Sequence, residues 1–332
     1  MPPPDNLTVI PAVEIMEKEY LRYSDISTYD KLDMAVDNLL SINPAIRPLD
    51  NNNKSGGLLE FSEEDYREFI LVGDLHGNTK NLRGILQDEQ NLYKLKRDEA
   101  VLIILGDAFH RETIGKLHEV ESSIAMLDII VRLINEYPAN VYYILGNHDT
   151  FSERLSKNGI QQGVLFRNSL YRKRGHEYMD LMQEFFDSLP VFVKHKNFLA
   201  VHAGPARGGI TRENIINIRS HPNLLWQLTW NRLNETRSYP SKKEYGPYDL
   251  DRMRMMLQCD PNIPVIVGHN PMWKISDEDS IWINLLNTTD HVILYSNHEK
   301  ICTYVSFNNS NEFCVKHAHL KEKKQKFLLG DY

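Results

Sequence analysis

Short apolar runs alternate with helical stretches along the chain from Phe69 onward. The runs are rich in Val, Ile and Leu, which is typical of buried strands. Between them, apolar residues recur at helical spacing. The first half is therefore predicted to contain, in order, strand 69–73, helix 81–89, strand 101–106, helix 119–136 and strand 141–146. This order predicts an α/β fold that begins β-α-β-α-β.

The second half of the chain is predicted to be richer in strands. A helix is expected at 178–188, followed by two strands at 191–195 and 198–202 that a turn at Lys196 and Asn197 joins. The later apolar runs predict strands at 263–268, 291–296 and 302–307.

The chain is predicted to have three parts. Residues 1–60 form an N-terminal extension, with a helix at 29–42 and an irregular linker with the sequence NPAIRPLDNNNKSGG. Residues 61–320 form the main domain. Residues 321–332 form a basic C-terminal tail, which we interpret as solvated surface rather than as a docking element.

The amino-acid composition limits which classes of function the protein can have. The 332 residues are 42% hydrophobic and 25% charged, which is ordinary for a globular protein. A net charge of −7 gives no general attraction to nucleic acids or anionic lipids. Three cysteines in no paired pattern favour a reducing compartment and disfavour a thiolate zinc site. Because neither a secretion leader nor a membrane-spanning run is visible, we expect a cytoplasmic protein, with delivery into a host cell as a remoter alternative.

Residues of metal-ligand type directly follow five predicted strands. Three strands end in glycine followed by polar motifs: GDLHGN at 73–78, GDAFHRE at 106–112 and GNHD at 146–149. His202 and His269 follow two later strands in the same way. Ligands of an open α/β sheet gather beyond the carboxyl ends of the strands, so we expect these side chains to meet. Each motif alone is more often a turn or a buried histidine, but coincidence does not account for all five together.

The donor types predict the kind of metal. The expected ligands are all carboxylates, imidazoles and one amide: Asp74, His76, Asp107, Asn147, His202 and His269. Such donors suit Mn, Fe or Zn better than copper(I) or an iron–sulfur cluster. Asp107, in the middle motif, is the natural bridge between two ions that activate a shared water.

The motifs resemble those of the calcineurin-like metallophosphoesterases, and among them the phosphoprotein phosphatases. That family has GDxHG, GDxxDRG, GNHE or GNHD, a histidine in a VHxG-like segment, and a final GH, and each block occurs here in order. Three segments are most similar to the bacteriophage lambda type and bacterial protein phosphatases: LVGDLHGNTKNL, LTWNRLNETR and VGHNP. The resemblance covers about residues 69–306. It implies two facing β-sheets flanked by helices, in α/β/β/α layers.

The resemblance also implies roles for individual residues. Asp74 and His76 would bind the first of two divalent ions, expected to be Mn²⁺, and Asp107 would bridge. The second ion would be bound by Asn147, His202 and His269. His148 would be the general acid, while Arg111, Arg232 and Asn147 would contact the phosphate.

The second motif departs from the family pattern. Where the family has Asp-Arg-Gly, this chain has His110, Arg111 and Glu112. The missing carboxylate orients the general acid in the family, so His148 either lacks this partner or takes Asp149 or Glu112 instead. Weaker acid assistance matters least for a good leaving group, which leaves phosphotyrosine open as a substrate beside phosphoserine and phosphothreonine. An inactive or narrowly tuned enzyme is also compatible with this departure.

The predicted function is hydrolysis of a phosphoprotein substrate by a hydroxide bound to a dinuclear metal centre. One alternative is a nucleotide phosphohydrolase of the diadenosine tetraphosphate hydrolase type, which shares the metal motifs; the WNR segment favours the protein phosphatase. A second alternative is a catalytically silent phosphoprotein-binding scaffold, for which His110 is the indication.

Overall fold

The computed structural model describes residues 23, 25–236, 239–276, 279–308, 310 and 312–319. Its strands are β1 (Leu58–Glu60), β2 (Glu68–Val72), β3 (Ala100–Ile104), β4 (Val141–Tyr143), β5 (Ser156–Lys157), β6 (Ile160–Gln161), β7 (Phe192–His195), β8 (Phe198–Val201), β9 (Arg232–Leu233), β10 (Glu244–Tyr245), β11 (Val265–Val267), β12 (Ile281–Ile283), β13 (His291–Leu294), β14 (Cys302–Phe307) and β15 (Phe313–Ala318). Its α-helices are α1 (Thr28–Leu40), α2 (Thr79–Gln87), α3 (Asn91–Lys96), α4 (Glu121–Glu136), α5 (Gln162–Arg174), α6 (His176–Ser188), α7 (Arg212–Ile216), α8 (Pro222–Trp230) and α9 (Pro247–Met256).

Two mixed sheets make up the centre of the fold. One has the order β15-β14-β2-β3-β4, and the other has the order β1-β7-β8-β11-β13-β12. β2, β3 and β4 are parallel, and so are β8, β11 and β13. β7 and β8 form the predicted antiparallel pair. Because parallel neighbours end at the same edge, each sheet presents several loops on one side.

The alternation of side chains along the strands produces four layers. Phe69 and Leu71 of β2 lie in the core between the two sheets, while Ile70 and Val72 point to the helices on the outer face. In β8, Ala200 points to the same inner core, and its neighbours face α7, α8 and α9. Both strands are buried on both faces, which explains their continuous apolar sequences. The predicted α/β/β/α architecture is confirmed.

Every strand and helix predicted from periodicity is present, with boundaries that shift by a few residues. The predictions did not include the two-residue strands β5, β6, β9 and β10 or the helices α3, α5, α7, α8 and α9. In the two large sheets they did not include β1, β12 and β15. These strands lie at or near sheet edges, where burial is one-sided and the apolar pattern is weak.

The described part of residues 1–60 packs closely on the rest of the chain. α1 lies against α4 and α6, and β1 adds a strand beside β7. The buried Arg47 guanidinium donates to the carbonyls of Leu39 at 2.8 Å, Gly56 at 2.7 Å and Ser188 at 2.7 Å. The three-part division of the chain stays a prediction. Residues 1–22 and the basic tail at 321–332 lie outside the described residues.

Candidate metal centre

Residues after five strands, drawn from both sheets, converge at one place. β2, β3 and β4 lead to Asp74, His76, Asp107, Asn147 and His148 in one sheet, and β8 and β11 lead to His202 and His269 in the other. Two groups of buried ligand atoms result, one from His76, Asp107 and His148 and one from Asp107, His202 and His269. Within each group the atoms lie within 4.8 Å of one another. Asp107 belongs to both groups.

The remaining two predicted ligands lie at the edges of these groups. The Oδ2 atom of Asp74 is 3.5 Å from Nε2 of His76. The Oδ1 atom of Asn147 is 2.9 Å from Nε2 of His202, which is itself 3.4 Å from Oδ2 of Asp107. All six side chains predicted as metal ligands are therefore brought together, and their role as ligands stays a prediction.

Hydrogen bonds to the backbone orient the imidazoles. Nδ1 of His202 is 2.7 Å from the carbonyl of Leu105, and Nδ1 of His76 is 3.1 Å from the carbonyl of His110. Each Nδ1 therefore donates its proton outward, and each Nε2 faces the carboxylates. Nε2 of His269 is buried and has no hydrogen-bond partner among the described residues. A buried nitrogen without a partner is costly unless a cation binds it, so the donor set fits divalent metal ions.

The two carboxylates are oriented in the same way. Oδ1 of Asp74 accepts from the backbone N–H of His269 at 2.9 Å, and Oδ1 of Asp107 accepts from that of His148 at 2.7 Å. In both cases Oδ2 is the atom that faces the imidazoles. A Cβ at Gly268 or Gly146 would overlap these Oδ1 atoms, so the glycines of the GH and GNH motifs allow the close approach.

Charges in the cluster shift the pKa values strongly. Burial lowers the pKa of His76, but Glu112, Asp74 and Asp107 outweigh burial and raise it to about 10. Burial also opposes the charge of His202, yet Asp107 raises its pKa to about 9. For His269, burial dominates and lowers the pKa. The carboxylates thus create a field that favours a cation, either a proton or a metal ion.

Three of the candidate ligands have left-handed backbone conformations. The φ angles are +43° at His76, +51° at Asp107 and +61° at His269. Such a conformation costs roughly 1–3 kcal/mol at a non-glycine residue and is concentrated at functional sites in proteins. The surrounding hydrogen bonds hold these side chains in place.

The candidate general acid, His148, has no carboxylate partner for its Nδ1 among the described residues. That atom is buried without any hydrogen-bond partner in this part of the chain. Its Nε2 lies 4.0 Å from Oδ2 of Asp107. His110, which replaces the family's aspartate, has its ring 6.0 Å from that of His148 and packs against Phe166. Burial lowers the pKa of His148.

The two acids considered as substitutes differ in their contacts. Asp149 accepts from the Gly146 N–H at 2.7 Å and from the Tyr143 hydroxyl at 2.5 Å, so it stabilises the turn. The carboxylate of Glu112 lies nearer the cluster: its Oε2 is 3.4 Å from Nε2 of His76. Glu112 also raises the pKa of His148 through space.

The two candidate arginines lie at the rim. Arg232 is exposed, donates to Oδ1 of Asn270 at 3.2 Å and contributes to the lowered pKa of His269, after burial and His202. Arg111 is partly buried, and its Nε lies 3.5 Å from Oε2 of Glu119.

Sequence reasoning missed two neighbours of the cluster. Tyr295 follows β13 directly, and its hydroxyl donates to Oε2 of Glu112 at 3.1 Å. The strand-end rule that located the histidines applies equally to Tyr295. Trp230 places its ring 6.1 Å from that of His269, edge to face. Nothing in the local sequence distinguishes Trp230 from a core tryptophan.

A groove with a volume of about 610 Å³ lies beside Trp226, one helical turn before Trp230. It is lined by Arg207, Asn223, Trp226, Gln227, Pro240, Ser241, Lys242 and Lys243. The rings of Trp226 and Trp230 are stacked 6.5 Å apart, which links the groove to the metal centre. Three of the described lining residues are cationic and none of them is acidic, but Arg207 is paired with Asp249 at 2.8 Å. Lys242 and Lys243 therefore contribute the positive charge that favours an anionic or polar occupant.

Comparisons with known proteins agree with this geometry. The sequence model of the family described as calcineurin-like phosphoesterase matches residues 68–280. A protein serine/threonine phosphatase from Saccharomyces cerevisiae, with similarity to human phosphatase PP5, has a similar fold: the TM-score is 0.63 at 14% identity, over 94% of this chain and 96% of that one. A search among curated proteins found no match.

Two further structures show weaker similarity. A protein provisionally described as a diadenosine tetraphosphatase gives a TM-score of 0.46 at 15% identity, over 79% of this chain and 98% of that one. A cold-active protein tyrosine phosphatase gives 0.47 at 14% identity, over 82% and 83%. Across the described residues, none of the helices is both long and apolar enough to cross a bilayer.

Proposed function

Because the chain belongs to the calcineurin-like phosphoesterases, we propose that it is a protein phosphatase that hydrolyses phosphomonoesters with two divalent ions. One observation carries the proposal: two overlapping groups of buried ligand atoms share the Asp107 carboxylate. A shared carboxylate suits two ions about 3.5–4 Å apart, the spacing used in two-metal phosphatases.

The residues divide between the two ions. Asp74 and His76 would hold one ion, with Asp107 as the bridge. Asn147, His202 and His269 would hold the other. The donor set has three oxygen and three imidazole ligands, which suits Mn²⁺, the ion we expect, and also Fe or Zn. When bound, the ions activate a water for attack on phosphorus and polarise the phosphoryl oxygens.

Other side chains act on the substrate. Arg232 and Arg111 neutralise the non-bridging phosphate oxygens, which a guanidinium contacts in a bidentate manner. His148 donates a proton to the leaving oxygen. Because burial lowers its pKa and none of the described aspartates partners its Nδ1, His148 supplies this proton weakly at neutral pH. Leaving groups that need little protonation, such as the phenolate of phosphotyrosine, are therefore substrates beside phosphoserine and phosphothreonine.

The groove beside Trp226 supports a protein substrate. Two of its lysines, Lys242 and Lys243, suit acidic residues near a phosphorylated site, whereas its arginine, Arg207, is already paired with Asp249 at 2.8 Å.

Hydrolysis of a substrate panel tests the proposal. The panel contains phosphoserine, phosphothreonine and phosphotyrosine peptides and diadenosine tetraphosphate, each with Mn²⁺ and with a chelator. We expect the peptides to release phosphate, and a chelator to abolish this release. In Asp107→Asn the rate of release should fall at least about 100-fold. Asp37→Asn, on the exposed face of α1, is the matched control and retains wild-type activity.

Two outcomes would refute the proposal in different ways. Turnover confined to the dinucleotide would make the protein a nucleotide phosphohydrolase. Tight binding of metal and phosphopeptide without any turnover would make it a catalytically silent binding protein, the function that His110 in place of the acidic partner favours.

A further inference from the structure

Glu112 lies at the metal centre, although the family pattern has glycine at its position. Its Oε2 is 3.4 Å from Nε2 of His76 and accepts a hydrogen bond from the Tyr295 hydroxyl at 3.1 Å. Its Oε1 pairs with Nζ of Lys157 at 2.5 Å. The side chain is only 21% exposed. Two partners therefore orient the carboxylate, and one of its oxygens points to His76.

Oxygens of two carboxylates lie near the same nitrogen of His76, each at a distance that also occurs between two ligands of one ion. Nδ1 of His76 donates to the carbonyl of His110, so Nε2 is the nitrogen that faces both carboxylates. Oδ2 of Asp74 and Oε2 of Glu112 lie 3.5 and 3.4 Å from it. These distances are longer than a normal N–H···O hydrogen bond of about 2.7–3.2 Å. Ligands bound to one ion at about 2.1 Å are roughly 3.0–3.4 Å apart in octahedral or tetrahedral geometry.

We propose that Glu112 is a further ligand, through Oε2, of the ion held by Asp74 and His76. The inference rests on the metal centre of the proposed function. Lys157 pairs with the other oxygen, so Oε2 is the atom that would be available to the ion. Tyr295 donates to Oε2 and sets its direction.

Compared with the family pattern, the second motif has thus lost a carboxylate at position 110 and gained one at position 112. His110 removes a carboxylate from the neighbourhood of the general acid, and Glu112 adds one to the ligand set of an ion. Carboxylate-rich sites suit Mn²⁺ better than sites rich in imidazole do. We therefore expect Glu112 to increase the affinity of this centre for Mn²⁺ and to bias the ion it shares with His76 toward Mn²⁺ over Zn²⁺.

The experiment is a calorimetric titration of Mn²⁺ into the full-length chain after chelator treatment. We expect two binding steps in the wild type, and in Glu112→Gln one step weakened at least about tenfold, in line with losses on removal of groups around metal sites. Glu153→Gln makes the same substitution at an exposed glutamate and is the matched control, so it should retain both steps within about threefold. Wild-type binding by Glu112→Gln, or an equal loss in Glu153→Gln, would overturn the inference.

A second variant separates ligation from simple charge. Glu112→Asp keeps the charge but withdraws the oxygen by about one methylene, so a ligand role predicts weaker Mn²⁺ binding and a through-space role predicts no change. Glu112→Asp also decides the matter if Glu112→Gln does not fold, as judged by circular dichroism. The titrations contain no substrate, so a chain that binds two ions without hydrolysing phosphopeptides refutes the proposed function and leaves this inference intact.

Discussion

Arg47→Met should destabilise the whole domain, because the Arg47 side chain joins the N-terminal segment to the end of α6 at Ser188. The guanidinium is buried and donates to three backbone carbonyls, those of Leu39, Gly56 and Ser188, at 2.7–2.8 Å. Burial, reinforced by Arg219, lowers its pKa to about 9, so the group is still charged at neutral pH.

The expected cost follows from these three bonds. A hydrogen bond from a charged donor contributes about 1.5–3 kcal/mol, and its loss here leaves three carbonyls unsatisfied. Part of this loss is offset, because Met needs no desolvation of a charge. We expect a fall in the free energy of unfolding of about 3–5 kcal/mol.

Urea unfolding followed by circular dichroism measures this change. Arg97→Met is the matched control: its side chain is 69% exposed and pairs with Glu99 at 2.9 Å, so it should cost less than about 1 kcal/mol. If Arg47→Met cost no more than this control, residues 28–60 would not be integral to the domain and the reasoning would be wrong.

Three further predictions concern the centre and its surroundings. His148→Asn should slow hydrolysis of a phosphoserine peptide roughly 100-fold but that of an aryl phosphate less than about 10-fold, measured as kcat for each; equal losses would exclude His148 as the proton donor. Asp149→Asn should lower the free energy of unfolding by about 1–3 kcal/mol in urea, because three donors lose their carboxylate; wild-type stability would contradict this turn-holding role. Burial, helped by Arg254, lowers the pKa of His291 to about 3, so the stability this residue contributes is complete above pH 6.5 and is lost as pH falls toward 3. His291→Gln should therefore reduce the fall in stability between pH 6.5 and 5 by about 1 kcal/mol per pH unit, and an unchanged slope would show that His291 is protonated when folded.

The strands that carry the site were predictable because they are buried on both faces. Their apolar runs end abruptly at glycine, so the pattern of residues alone assigns Asp74, Asp107 and His269 to strand ends. The local sequence shows which residues directly follow a strand, and one general rule places ligands at the carboxyl ends of parallel strands. Together these were enough to predict the cluster.

What the sequence did not predict depends on contacts between distant segments. The proximity of Glu112 to His76 depends on how the loop after β3 folds back, with Lys157 and Tyr295 on either side. The linker-like segment after α1 likewise contains Arg47, one of whose acceptors, the Ser188 carbonyl, lies 141 residues further along the chain. Composition indicates irregular backbone there, but it contains no information about burial.

The two sheets contribute separate parts of the centre, and this has a mechanical consequence. Asp74 and Asp107 come from one sheet, and His202 and His269 come from the other. Ions bound as proposed would therefore act as a crosslink across the sandwich, much as a disulfide joins two segments. Ligands that bind only the folded state stabilise it by about 2.7 kcal/mol at about 100 times their Kd. Thermal melting of the chain is thus a direct readout of ion occupancy, independent of any substrate.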